Sequence, residues 1–162
     1  MILSRKAFTL IELIFIIVIV SILSVVAIPR LQVTRDDAKV STSLNEVSQI
    51  VSDMSAYYMA KEHYESDNVV DVTNVRLYNS YDCISDNIAT NIVSSSSYYY
   101  CTEKGSELEV CVKIFLSNID GNLTVSSILN PEGDICKGLH ESRVYQYNLL
   151  KTFLNGGATL NY

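Results

Sequence analysis

Residues 8–28 read FTLIELIFIIVIVSILSVVAI, and only Thr9, Glu12, Ser21 and Ser24 interrupt the run with polar side chains. A helix of that length, rising about 1.5 Å per residue, reaches about 30 Å, the hydrocarbon thickness of a bilayer. The run therefore predicts a transmembrane helix. Arg5 and Lys6 precede it, which predicts a cytoplasmic N-terminus and places the rest of the chain on the far side. A cleaved secretory signal would have a shorter apolar core closed by small residues, an end that Val26-Ala27-Ile28-Pro29 does not supply. Glu12 is the one charge in the run. A carboxylate at the bilayer centre costs about 3 kcal/mol and less near the interface, so Glu12 calls for a cationic partner.

The residues before and within the run, Arg5-Lys6-Ala7-Phe8-Thr9-Leu10-Ile11-Glu12, form a basic pair, a small residue and then Phe-Thr-Leu-Ile-Glu. Pro29 closes the run. This string resembles the type IV prepilin cleavage motif, shared by type IV pilins and type II secretion pseudopilins. The resemblance covers about residues 5–30. It implies a leader peptide over 1–7, cut by a prepilin peptidase between Ala7 and Phe8, with N-methylation of the new terminus at Phe8. The family usually has Gly where this chain has Ala7. Glu12 is then the fifth mature residue and Pro29 the twenty-second. The resemblance further implies that Glu12 pairs with the charged amino terminus of an adjacent subunit during assembly. Two charges that are each costly in an apolar medium relieve one another when placed together, and the pair favours one axial register.

After Pro29 the period changes. Val40, Leu44, Val47, Val51, Met54 and Tyr58 recur at spacings of three and four, which predicts an amphipathic helix with one apolar stripe. Arg35-Asp36-Asp37-Ala38-Lys39 marks entry into water, and no Gly or Pro interrupts residues 30–60. One helix is expected over about 9–60, bent at Pro29 where a backbone hydrogen bond is lost.

From about residue 65 the helical period stops. Residues 80–97 are polar around Cys83 and read as a loop, with a short strand starting at Tyr98-Tyr99-Tyr100. Leu108, Val110, Val112, Ile114 and Leu116 alternate with Glu109, Cys111, Lys113 and Phe115, the signature of a half-buried strand. Its aliphatic face is expected to meet the helix stripe, leaving Cys111 on the opposite face. Asp120-Gly121 signals a hairpin turn, and 123–129 returns as the next strand. Residues 139–155 favour a helix with Tyr147, Leu150 and Leu154 on one face, ending at Gly156-Gly157. A hairpin of 144–153 with 158–162 is the other reading. The expected fold class is α+β: a long N-terminal α-helix, half transmembrane and half amphipathic, packed on a small antiparallel β-sheet in the manner of pilins. The expected divisions are a leader (1–7), a transmembrane and assembly helix (8–29) and a periplasmic globular domain (30–162).

Four cysteines, Cys83, Cys101, Cys111 and Cys136, lie in the second half. They include no C-x-x-C pair, and His63 and His140 do not flank them at zinc-finger spacing; no metal or cofactor is expected. An even count in a chain built for export predicts disulfides, whereas free buried thiols would suit a reducing compartment. A Cys111–Cys136 bond with Cys83–Cys101 is compatible with the strand order, but four cysteines allow three pairings.

With 48% apolar and 19% charged residues, the chain can bury a core. Its formal charge is −6, and losing Arg5 and Lys6 with the leader makes it −8. Such a surface repels phosphate backbones. Tyr57, Tyr58, Tyr98, Tyr99 and Tyr100 lack neighbouring Lys or Arg for base stacking, which disfavours nucleic acid as a partner outside an uptake machine. Asn118-Ile119-Asp120-Gly121-Asn122 lacks the closing Glu of an EF-hand loop and reads as a turn. There is no Gly-rich phosphate loop, H-E-x-x-H or G-x-S-x-G, so no enzyme is expected. The expected function is that of a structural subunit of a type IV pilus-like or pseudopilus filament, serving secretion, DNA uptake, adhesion or motility. Its implied partners are the prepilin peptidase, copies and relatives of itself, an inner-membrane assembly platform and membrane lipid. Its implied location is the bacterial inner membrane and then a periplasmic or extracellular filament. The other reading is a monomeric, single-pass, membrane-tethered binding domain.

Overall fold

The structure, a computed structural model, describes residues 9–155, without the side chains of residues 26–34. The chain divides into two compact units, Met1–Asp36 and Asp37–Tyr162. Its first element is helix α1, Leu10–Lys61.

In the first unit, α1 opens on Thr9, whose hydroxyl accepts from the Glu12 backbone N–H at 3.3 Å. Glu12 returns the interaction, its Oε2 accepting from the Thr9 backbone N–H at 2.9 Å and from the Thr9 hydroxyl at 2.8 Å. This reciprocal pair is a capping box, which satisfies donors that the first turn of a helix leaves orphaned. Ser21 and Ser24 fold their hydroxyls back onto Ile17 O and Val20 O, hiding polar groups within an apolar surface.

Among the described residues, no helix is long and apolar enough to cross a membrane. The apolar stretch whose side chains are described covers residues 10–25. At about 1.5 Å per residue it extends about 24 Å, short of the roughly 30 Å of a hydrocarbon core. This corrects the expected transmembrane half of the fold, and with it the expected single-pass placement in an inner membrane. The expected bend at Pro29 lies outside the described side chains.

The second unit is α+β. Three strands follow one another as a meander, β1 (Ser97–Lys104), β2 (Glu107–Leu116) and β3 (Asn122–Ser127). Helix α2 (Asp134–Glu141) comes next, then a single π-helical turn at Tyr145–Leu149 and a three-residue strand β4 (Thr152–Leu154). All pairs are antiparallel in the order β1-β2-β3-β4. The β1–β2 connection has two residues and begins at Gly105, whose φ is +64°, the left-handed conformation that a tight hairpin turn requires of its first central residue. Gly121, at φ +65°, closes the β2–β3 turn, where Ser117 N–H donates to Asn122 O at 2.9 Å.

The core forms where the second half of α1 lies on the sheet. Val47, Ile50, Val51 and Met54 are buried with Val112, Ile114, Leu116, Leu123 and Val125. Ile50 joins this face although the expected stripe omitted it, while Leu44 and Tyr58 are only partly buried at its margin. Tyr64 is fully buried beyond the helix end. Its backbone N–H donates to Asn118 Oδ1 at 2.8 Å, its hydroxyl donates to Gly121 O at 3.0 Å, and that hydroxyl accepts from Asn155 Nδ2 at 2.8 Å.

Strand alternation fails at one place. β1 pairs Tyr100 with Val112 and Cys101 with Val110, so Cys111 is an extra residue on β2. A bulge inverts the face parity on one side of itself. Val110, Cys111 and Val112 are consequently buried in succession, and Leu108 is 40% exposed rather than facing the helix. Cys111 belongs to the same core cluster as Val47, correcting its expected place on the opposite face.

Residues 139–155 divide differently from either expectation. Leu139, Tyr145 and Leu149 are the buried residues, while Tyr147 and Leu154, expected on one helix face with Leu150, are 77% and 62% exposed. β4 pairs with β3; the segment 158–162 of the alternative hairpin lies outside the described residues. Residues 62–96 run as an irregular cover. Tyr78 exchanges backbone hydrogen bonds with Tyr99 at 2.9 Å in both directions, closing part of the β1 edge.

Helix α2 comes within van der Waals distance of α1 at a glycine. A Cβ at Gly138 would lie 2.8 Å from Val40 Cγ2, and valine is stiff about χ1. Gly138→Ala gains about 1 kcal/mol of helix propensity but overpacks the contact by about 1–3 kcal/mol. We expect a net loss of about 1 kcal/mol in denaturant unfolding, reversed when Val40→Ala is added; additive losses in the double variant would refute the contact.

Candidate functional site

The residues singled out from sequence fall into two groups, one in each unit. Ala7 and Phe8 lie outside the described residues, and so does the side chain of Pro29. Glu12 sits in the first turn of α1, in the first unit. The four cysteines sit in the second unit.

Around Glu12 the surface is apolar on every side of the helix. Each Leu, Ile, Val and Phe from Leu10 to Val25 is at least 41% exposed. Contiguous apolar patches larger than a few hundred Å² are rare on isolated soluble proteins and mark contact surfaces. The Glu12 carboxylate is held by Thr9 in a fixed direction at the start of this surface. Sequence reasoning treated Glu12 as a charge without a local partner. The T-x-x-E spacing of Thr9 and Glu12 was the signal for its capping role.

The cysteines form two disulfides, Cys83–Cys101 and Cys111–Cys136, which selects one of the three possible pairings. Their separations are 18 and 25 residues, and loops of that size correspond to about 3 kcal/mol of stabilisation each in the chain-entropy account. The first ties the irregular cover to β1, and the second ties α2 to the bulge in β2. His140, one helical turn after Cys136, brings Nε2 to 3.6 Å from both Cys111 Sγ and Cys136 Sγ. Its Nε2–H donates to Cys111 O at 2.8 Å, and its ring stacks on Tyr145 with centroids 5.4 Å apart. His140 does not flank the cysteines at zinc-finger spacing, yet the fold sets it against both sulfurs. The missed signal was Cys136-x-x-x-His140, which aligns both side chains on one helix face. His63 caps, its Nδ1–H donating to Lys61 O at 2.7 Å.

A third feature is a cleft of about 590 Å³ between the second half of α1, the irregular cover and β1. Lys39, Glu46, Arg76, Tyr100, Thr102 and Glu103 line it. Lys39 and Glu103 form an ion pair. The Tyr100 hydroxyl donates to Glu46 Oε2. Thr102, 4% exposed, is the residue whose hydroxyl finds no hydrogen-bond partner among the described residues. Tyr98 and Tyr100 are both buried, so their rings are not presented for stacking on bases.

Comparison with family models, with curated proteins and with solved structures finds no match.

Burial, reinforced by the Glu46 carboxylate, pushes the Tyr100 hydroxyl well above the ordinary tyrosine range; burial also raises Tyr64, Tyr98 and Tyr145. In the unfolded chain these phenols ionise near pH 10. The folded state therefore holds more protons above that pH, and stability, constant below it, falls as pH rises further. We expect alkaline unfolding to begin near pH 10 by circular dichroism. Tyr100→Phe should cost about 1 kcal/mol at neutral pH through its lost hydrogen bond and show a shallower alkaline decline. An unchanged slope would exclude Tyr100 as a contributor.

Proposed function

We propose that this chain is a structural subunit of a type IV pilin-like filament, in which the first part of α1 packs against the same segment of other copies. The observation that carries the reading is the all-round apolar exposure from Leu10 to Val25, with Glu12 as the one charge within it. Among the described residues, no side chain of its own unit covers this surface. Copies of the same segment match it in chemistry and in length.

In this reading the chain is processed between Ala7 and Phe8 by a prepilin peptidase, and Phe8 becomes a methylated amino terminus. That terminus carries the positive charge that Glu12 of a neighbouring copy accepts. A single buried ion pair adds little net stability but penalises every register that leaves either charge unpaired. It therefore acts on how copies align more than on how tightly they hold. Pro29 stands at the end of the packing segment. The disulfide-tied second unit is the part left to meet other partners, in secretion, uptake, adhesion or motility.

A second reading, a monomeric binding domain, is favoured by the cleft with its unpartnered Thr102 hydroxyl. The two differ in what α1 does and are separated by assembly state.

The decisive comparison uses Glu12→Gln beside Glu12→Ala in the cell that makes the protein. Glutamine can still accept from Thr9 and keep the capping box, but it carries no charge. Mass spectrometry should find an N-methylated Phe8 terminus in all three proteins. Electron microscopy should find filaments for the wild type and few or none for both variants. An intact Met1 would refute the processing, filaments of Glu12→Gln as abundant as wild type would refute the charge pairing, and a strictly monomeric mature wild type would favour the binding-domain reading.

A further inference from the structure

We infer that reduction of the Cys111–Cys136 disulfide turns the joint between β2 and α2 into a binding site for a thiophilic metal ion, with Zn²⁺ held by Cys111, Cys136 and His140. Among the described residues, this is the group of three potential ligands whose donor atoms all lie within 4.8 Å of one another.

The geometry is close to what zinc needs before any rearrangement. Zn–S bonds of about 2.3 Å and Zn–N bonds of about 2.0–2.1 Å at tetrahedral angles separate sulfur from nitrogen by about 3.6 Å. His140 Nε2 stands 3.6 Å from each of the two sulfurs. What remains is for the sulfurs to part from bonding distance to about 3.8 Å, the sulfur–sulfur edge of the same tetrahedron. The bulge at Cys111 lies outside the regular β1–β2 ladder, so this residue can shift with less loss of strand pairing than its neighbours.

The surroundings already orient the imidazole. Cys136 and His140 are one turn apart on α2. Tyr145 is fully buried and stacks nearly parallel to the imidazole, at an interplanar angle of 11°. Tyr145 is fixed in turn by the Ser127 hydroxyl, which donates to its oxygen at 3.2 Å. Gln146 Nε2 donates to His140 O at 2.8 Å. Such outer partners commonly change metal affinity by 10–100-fold. In the oxidised form Nε2–H donates to Cys111 O. In the metal-bound form the ring carries its proton on Nδ1 and Nε2 faces the ion. Cys111 O is not stranded, because Ile128 N–H also donates to it, at 3.4 Å. Two thiolates and one imidazole suit zinc, and His140 is only half-buried, which leaves the fourth position to water.

The chemistry balances with a thiol reductant. Two low-molecular-weight thiols reduce the disulfide to two protein thiols and leave as their own disulfide. Binding of Zn²⁺ then releases both thiol protons to solvent. The Cys83–Cys101 pair has no histidine in a comparable place among the described residues and serves as the internal control.

The test uses the full chain without oxygen, reduced by a phosphine so that no competing thiol is present, and titrated with zinc against a chromophoric chelator. We expect one zinc per reduced chain and none per oxidised chain. Cys83→Ser/Cys101→Ser should still bind one, and His140→Ala should bind at least about tenfold more weakly. Substituted cobalt should show thiolate charge-transfer absorption in the wild type. Should reduction unfold the chain, one equivalent of zinc should restore its near-ultraviolet circular dichroism in the wild type and not in His140→Ala. Equal affinity of His140→Ala and wild type, loss of binding in Cys83→Ser/Cys101→Ser, zinc bound equally by the oxidised chain, or no binding and no recovery in the reduced wild type would each overturn the proposal.

Discussion

Burial of Val47, Ile50, Val51 and Met54 beneath Val112, Ile114 and Leu116 is the constraint that the second unit is organised around. Each of these side chains is almost wholly removed from water, and burial of a side chain of this size contributes about 1.5–3 kcal/mol. The helix face fixes which side of the sheet is core. β2 is then central, β1 and β3 follow from tight turns, and α2 reaches the same core through the close approach at Gly138. The disulfides act on this arrangement rather than creating it, since Cys111 and Cys136 already belong to the buried cluster.

Much of this was legible in the sequence, and the failures share a cause. Three of the residues in the 3.6-residue stripe and three of those alternating in β2 lie in the core as the spacing requires. A single inserted residue at Cys111 defeated the rest of the strand pattern, because period-2 reasoning assumes an unbroken ladder and nothing local in Glu109-Val110-Cys111-Val112 announces a bulge. Tyr147, Leu150 and Leu154 were misread for a related reason. The chain passes from a π-helical turn to a strand within a few residues, and no single period survives that change. The cysteine pairing stayed open in the sequence because connectivity depends on tertiary distance. His140 was missed because its relation to Cys111 is long-range, although its spacing from Cys136 was visible.

The first unit reverses the balance of evidence. Its sequence is the most distinctive part of the chain, yet what the structure adds is local: a capped helix start, two serines turned onto their own backbone, and apolar side chains left uncovered. The expected membrane crossing does not stand among the described residues. The capping box also gives Glu12 two duties that pull in different directions. A carboxylate whose Oε2 is held by Thr9 is aimed, with its charge kept, before it meets any other charge, so an assembling partner would have to share it with the helix.

The edges of the sheet carry a consequence of their own for a chain that also exposes an apolar helix surface. An uncovered strand edge is a template on which another chain can continue the ladder without limit. Here one edge is partly sealed by the reciprocal Tyr78–Tyr99 hydrogen bonds, and the other is β4, three residues long. Neighbouring copies meeting at high density thus find little backbone to extend. Among the described residues, ladder growth through the sheet is hindered at both edges, whereas the apolar surface of α1 carries no such barrier.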